Sequence, residues 1–166
     1  MSKKILLLGH SNSGKDQFAE YLVKYNPSLS FESSSLFVCE KAVFPTLSAK
    51  YGYSTIDECY EDRRNHRVEW ADLISAYNNP KHKLASEILA EHDMYVGLRK
   101  NDEYLACMEQ NLFDTIFWVD ATKRTGQFEG RDSFDIDFDP KKMIWIDNNS
   151  ILWRLEEKAK YWATIL

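Results

Sequence analysis

Only three of the 166 residues are cysteine. Cys39, Cys59 and Cys107 are spaced like neither a metal site nor a disulfide framework, so reduced thiols are expected. No apolar run approaches the length of a membrane-spanning helix. Lys3 and Lys4 precede only four aliphatic residues before Gly9, which is too little for a secretory leader. Surplus positive charge is missing too. Lys and Arg number 21 against 26 Asp and Glu, a formal net charge of −5. That excludes blanket attraction to nucleic acid while leaving room for a local cationic pocket. No internal repeat or low-complexity linker divides the chain. The expectation is one cytoplasmic domain spanning 1–166, with neither a membrane nor a nucleic-acid polymer as partner. A homodimer is left open.

What the chain does have is a composition of 44% hydrophobic and 28% charged residues, enough to bury a substantial core. Its most specific feature comes early. The apolar run Ile5 to Leu8 leads into Gly9-His10-Ser11-Asn12-Ser13-Gly14-Lys15-Asp16. Phe18, Ala19, Leu22 and Tyr25 then follow at helical spacing. Strand, glycine-bounded loop and amphipathic helix form the context of a phosphate-binding loop, or P-loop. Gly9 allows a sharp turn off the strand, and Gly14 a close approach to an anion. The N–H groups from Asn12 and Ser13 through Gly14, Lys15, Asp16 and Gln17 are then available to phosphate oxygens. Lys15 adds a mobile positive charge. Asp16 stands where Ser or Thr usually meets Mg²⁺, and a carboxylate can hold that ion directly or through water.

Further along, Leu29 to Glu32 reads as a second strand. Ser33, Ser34 and Ser35 follow it, placed either to cap a helix or to bind substrate at a strand end. Arg63 and Arg67 lie four apart with Trp70 three beyond, so one helix would carry all of them on one face. Two arginines beside a flat aromatic suit a phosphate attached to a base; the plainer alternative is a solvated helix paired with Glu61, Asp62 and Glu69. Met94 to Val96 reads as a third strand, with Tyr95 within it and Gly97 and Arg99 in its exit loop, where ligands of open α/β sheets collect.

Thr115 to Asp120 is the strongest internal strand, and Asp120 at its end is a second candidate for Mg²⁺. Arg124 follows closely. Residues 125–140, rich in acids and containing Arg131, are expected to form a mobile flap bringing an arginine to the reaction. Met143 to Asp147 reads as a fifth strand. In its exit loop Asn148 is placed to meet an adenine edge or to cap the last helix. Alternating strands and helices imply an α/β fold: a three-layer sandwich with a five-stranded parallel sheet and helices on both faces.

On these residues the chain resembles the P-loop nucleoside monophosphate kinases, and among them the small deoxynucleoside monophosphate kinases common in bacteriophage genomes. The match is carried by the loop from Gly9 to Asp16, the Arg63/Arg67/Trp70 stretch, Tyr95 to Arg99, Trp118 to Asp120 with Arg124, and Ile146 to Asn148. Only the first is a specific motif. The resemblance implies a helical substrate-binding insertion at about 33–92 and a lid at about 122–142. It implies ATP and Mg²⁺, with transfer of the γ-phosphoryl to a (deoxy)nucleoside monophosphate in the (host) cytoplasm. It also implies Lys15 on the donor phosphates, Arg63, Arg67 and Arg99 on the acceptor phosphate, and Arg124 and Arg131 acting from the lid. The Gly-Lys-Asp variant also occurs in phosphomevalonate-type kinases. A kinase of another small phosphorylated metabolite is therefore one alternative, and a non-catalytic nucleotide-binding switch another.

Overall fold

The computed structural model describes residues 3–126 and 128–166; residue 127 of the expected lid lies outside them. The short apolar run opens the fold as β1, Ile5–Leu8. All its side chains are buried because the strand is covered on both faces. Ile5 and Leu7 enter one core and Leu6 and Leu8 the other, as the two-residue period of a central strand requires. Around it lie β2 (Phe31–Ser33), β3 (Met94–Val96), β4 (Thr115–Asp120) and β5 (Ile144–Asp147). They form a five-stranded sheet in the order β2-β3-β1-β4-β5, and every pairing is parallel. The fold class expected from the sequence is the one observed.

Two helices close one face. Helix α1 (Lys15–Tyr25) turns Phe18, Ala19 and Leu22 inward, and the C-terminal helix Leu152–Ala163 answers with Leu155, Ala159 and Ala163. The opposite face is covered by the insertion between β2 and β3. It contains α2 (Ser34–Val38), a π-turn at Cys39–Val43, α3 (Phe44–Tyr51), α4 (Ile56–Glu61), a 3₁₀ turn at Asp62–His66, α5 (Arg67–Tyr77) and α6 (Lys83–Glu91). After β3 comes α7, Asn101–Glu109, and after β4 a single short helix, α8, Thr122–Thr125; the C-terminal helix is α9.

Two expectations change here. First, the described part of the flap expected at 125–140 is not free along its whole length. Phe134, Ile136 and Met143 are 2%, 3% and 5% exposed and belong to the insertion-side core. Phe138 packs edge-on against Trp118 and Trp145, with centroids 6.0 and 4.9 Å away. The segment does the covering that a crossover helix would otherwise do. Second, the chain from Arg63 to Trp70 is not one helix. Arg63 lies in the 3₁₀ turn, Arg67 begins α5, and His66 between them sits at φ −127°, ψ 36°. The four-residue spacing therefore gives no shared helical face.

Cys39, Cys59 and Cys107 are buried and unpaired. Burial holds the Cys39 and Cys107 thiols up at about 12, so they pack as apolar groups. No helix among the described residues is long and apolar enough to cross a membrane.

Candidate functional site

The carboxyl ends of the strands bring the P-loop, the Ser33–Ser35 turn, the Gly97–Arg99 loop and the β4 and β5 exits to one edge. The P-loop itself has little slack. Gly9 has φ +154°, and a Cβ there would lie 2.5 Å from both the Ser13 hydroxyl and the Val119 carbonyl. Gly14 caps α1 at φ +89°, where a Cβ would meet the Asn148 amide at 2.4 Å. Both positions need glycine on grounds of dihedral and of space. Asn12 takes φ +59° in the same loop. Ser13 is buried, and its hydroxyl has no hydrogen-bond partner among the described residues.

Asn148 and Asn149 tie the neighbouring exits to this loop. The Asn148 amide donates to the Ser13 carbonyl at 2.8 Å, so this side chain braces the P-loop. It does not cap α9, whose N-cap Ile151 makes no side-chain bond. Asn149 donates to the Asp120 carboxylate at 2.7 Å and accepts the N–H groups of Lys123 and Arg124. Gln17 donates to Glu20 across one helical turn.

Lys15 is largely enclosed; its ammonium lies 3.9 Å from the Asp16 carboxylate, while Asp16 itself is open to solvent. Burial lowers the Lys15 pKa; Asp16 partly offsets this, and the Arg99 charge adds to the lowering. Arg99 is lowered in turn by burial and by the charge of Arg67. Arg99 is thus within electrostatic reach of both Lys15 and Arg67, a set of like charges that a nearby anion would relieve.

An anion is present, and it was not legible in the sequence. Glu129 accepts the Ser11 backbone N–H at 2.8 Å and the Ser11 hydroxyl at 3.0 Å, and pairs with Arg99. Its own N–H donates to His10 Nδ1 at 3.2 Å. Burial lowers the His10 pKa, with Asp120 opposing and Arg99 and Lys15 adding to the lowering; its Nδ1 is the acceptor of this bond. A carboxylate seated on a loop N–H and a guanidinium shows that this edge fits anionic groups, as phosphate binding requires.

Arg99 also donates to the Ser133 carbonyl at 3.3 Å. The two arginines expected on the lid are placed otherwise. Arg124 donates to the Asn148 carbonyl at 3.1 Å from an exposed position. Arg131 is a surface residue paired with Asp137 at 2.9 Å. Arg63 is turned back onto its own segment, donating to the Tyr60 carbonyl at 2.7 Å with its guanidinium 4.0 Å from the Tyr60 ring centroid.

Two aromatic candidates are core residues. Trp70 is 4% exposed and packs edge-on with Tyr60 at 6.3 Å; enclosed in this way, it offers no platform for a base. Tyr95 is 1% exposed, on the insertion side of β3, and donates its hydroxyl to Glu103 at 2.9 Å. Gly97 serves this packing: at φ +113°, an added Cβ would meet the Ser34 hydroxyl at 2.6 Å. Among the three serines it is Ser33 that caps α2, accepting the Leu36 N–H at 3.2 Å.

Burial raises Glu103 to about 7, with Asp102 adding to the rise and Tyr95, Lys81 and Asn78 opposing it. Unfolding returns it to the ordinary value of 4.5. Between those values the folded chain keeps a proton that the unfolded chain releases. This contribution is complete at low pH and disappears as pH climbs towards 7, by on the order of 3 kcal/mol. Glu103→Gln keeps an acceptor for Tyr95 and removes the titration. Urea unfolding of the variant should therefore lose the fall in stability that the parent shows between about pH 5 and about pH 8.

For a divalent cation, Asp16 is the open carboxylate. Asp120 is 5% exposed, and its oxygens already accept from Thr122 and Asn149. No cluster of three or more metal-ligating side chains occurs among the described residues. Beside the P-loop lies a cavity of about 350 Å³, walled by His10, Trp118, Phe128, Phe134, Ile136 and Phe138, with Glu129 and the Arg131–Asp137 pair also lining it. The His10 and Phe134 rings are 4.7 Å apart.

No family model matches the chain, and no curated protein matches it in sequence. Its architecture does have counterparts among solved structures. An unliganded sugar kinase from Janibacter sp. is 16% identical, with 99% of this chain and 96% of that one covered, at a TM-score of 0.50. A gluconokinase from Sinorhizobium meliloti is 14% identical over 99% of this chain and 93% of its own, at 0.52. At such identities the likeness is one of fold: the parallel α/β architecture of this chain is shared with these two kinases.

Proposed function

We propose that the protein is an ATP-dependent phosphotransferase whose acceptor is a small molecule already bearing phosphate, of the nucleoside monophosphate class. The observation that carries this reading is the position of Arg99, within electrostatic reach of Lys15 on one side and Arg67 on the other. A donor cradle and an acceptor cradle then adjoin. From residues 33–92, Arg67 would reach the acceptor phosphate, while 122–142 would cover the site and wall the acceptor cavity.

On the donor side, the P-loop N–H groups and Lys15 would hold the triphosphate, with Asp16 facing the place of Mg²⁺. Mg²⁺ keeps much of its water and needs few protein ligands when phosphates supply the rest, so a single open carboxylate fits it. The ion supplies charge neutralisation. On the acceptor side, Arg99 and Arg67 would hold the phosphate in line with the transferred group. That phosphate is largely ionised near neutrality, so no general base is needed. Catalysis rests on positioning and on cations facing the developing charge.

The aromatic cavity, rather than Trp70 or Tyr95, supports a planar acceptor. It lies within the roughly 300–1,000 Å³ usual for small-molecule sites. Coupled ADP release, screened over ribo- and deoxynucleoside monophosphates, tests the reading. Gluconate and hexoses belong in the same screen, because the similar folds come from a gluconokinase and a sugar kinase. Stimulation by at least one monophosphate and by neither of the others is expected. Stimulation by gluconate alone would replace the acceptor class, and a flat response to every acceptor would favour a nucleotide-binding switch.

A further inference from the structure

Glu129 was assigned no role by the P-loop or by the arginine pattern, yet it is the side chain that joins them. We propose that its carboxylate is a resident occupant of the phosphate site, displaced when a phosphoryl group binds. The proposal rests on the P-loop being a phosphate cradle, and needs nothing about transfer itself.

Four contacts support it. The carboxylate accepts the N–H and the hydroxyl of Ser11, it pairs with Arg99, and the Glu129 N–H is anchored on His10. An incoming phosphate asks for the same partners: a loop N–H, a hydroxyl and a guanidinium. The carboxylate is 15% exposed, so it is held in the site and not merely near it. Carboxylate and phosphate cannot use the Ser11 N–H and the Arg99 fork together.

The chain around Glu129 suits this exchange. Gly130 follows it in open space, where an added Cβ would meet nothing within 4 Å. Beyond that glycine the chain is fixed by buried Phe134, so a turn at Gly130 would let Glu129 leave the P-loop while the core stays packed. Its presence offsets part of the Arg99 charge in the free protein. It also sets a threshold: a ligand must bring an anionic group able to replace it, so a neutral sugar or nucleoside gains no access to Arg99.

The test is titration calorimetry of the full chain with inorganic phosphate, which can take the Arg99 fork alone, and with inorganic tripolyphosphate, which spans the loop as well. Glu129→Gln keeps the size and an acceptor for Ser11 but loses the charge facing Arg99. It is expected to bind both probes about tenfold more tightly than the parent. Asp132→Asn, an exposed acid of the same segment, controls for net charge and should leave affinity unchanged. Unchanged or weaker binding by Glu129→Gln, or equal tightening by Asp132→Asn, overturns the proposal while leaving the phosphate cradle standing. Absence of binding by parent and variants alike overturns the cradle as well.

Discussion

Lys15→Ala is expected to lower turnover by about three orders of magnitude or more while the chain stays folded. The two halves of that expectation have one cause. Lys15 is largely enclosed, and burial together with Arg99 depresses its pKa, with Asp16 giving only partial relief. A charge held at such cost contributes little to stability, so its removal does not endanger the fold. In the proposed site the same charge would face the phosphate oxygens held by the P-loop N–H groups, so catalysis would lose a preorganised cation. Steady-state kinetics beside a thermal melt checks both halves. Near-normal turnover with an unchanged melt would remove Lys15 from the reaction.

Arg99→Ala is expected to reduce kcat/KM for the acceptor by about 10- to 100-fold, the range for a hydrogen-bonded charge pair of about 1.5–3 kcal/mol. Arg99 is half-buried, and burial and the Arg67 charge lower its pKa. It can present two N–H groups to one anion. Arg99→Lys should recover only part of the loss, because an ammonium keeps the charge without the fork. Arg67 is exposed at the start of α5, and solvent screens it, so Arg67→Ala should have a smaller effect. An Arg99→Ala enzyme that keeps its acceptor KM and kcat would place the acceptor elsewhere. Arg124→Ala and Arg131→Ala bear on the lid assignment: Arg131 lines the aromatic cavity but is already paired with Asp137, so a smaller loss than that of Arg99→Ala is expected from it.

The sheet and the P-loop were legible in the sequence because their signals are local. Buried central strands read as short apolar runs, and the glycines of the loop sit at positions whose geometry only glycine satisfies. Trp70 and Tyr95 were not legible as core residues. An aromatic beside two arginines looks alike in sequence whether its ring faces a ligand or a hydrophobic interior, and only the packing of the insertion decides. The helix from Arg63 to Trp70 failed for a related reason: charge spacing carries no mark of the 3₁₀ break at His66.

The segment from Phe134 to Phe138 did carry a signal, since Phe134, Ile136 and Phe138 alternate with Asp135 and Asp137. That is the two-residue period of extended chain buried on one side. The acids hid it by making the stretch look like a solvated flap. Glu129 had no local signal at all. Its contact with Ser11 spans 118 positions, and one acid among many gives no reason to choose it until the fold brings it to the loop.

One site is proposed to hold a triphosphate donor and a phosphorylated acceptor side by side. ATP labelled in its γ-phosphoryl group, incubated with the best nucleoside monophosphate from the screen, measures this directly. The label should appear in the nucleoside diphosphate, in equal amount with the ADP released and none as free phosphate. ADP formed with the label recovered only as inorganic phosphate, or no ADP formed with any acceptor, would contradict it.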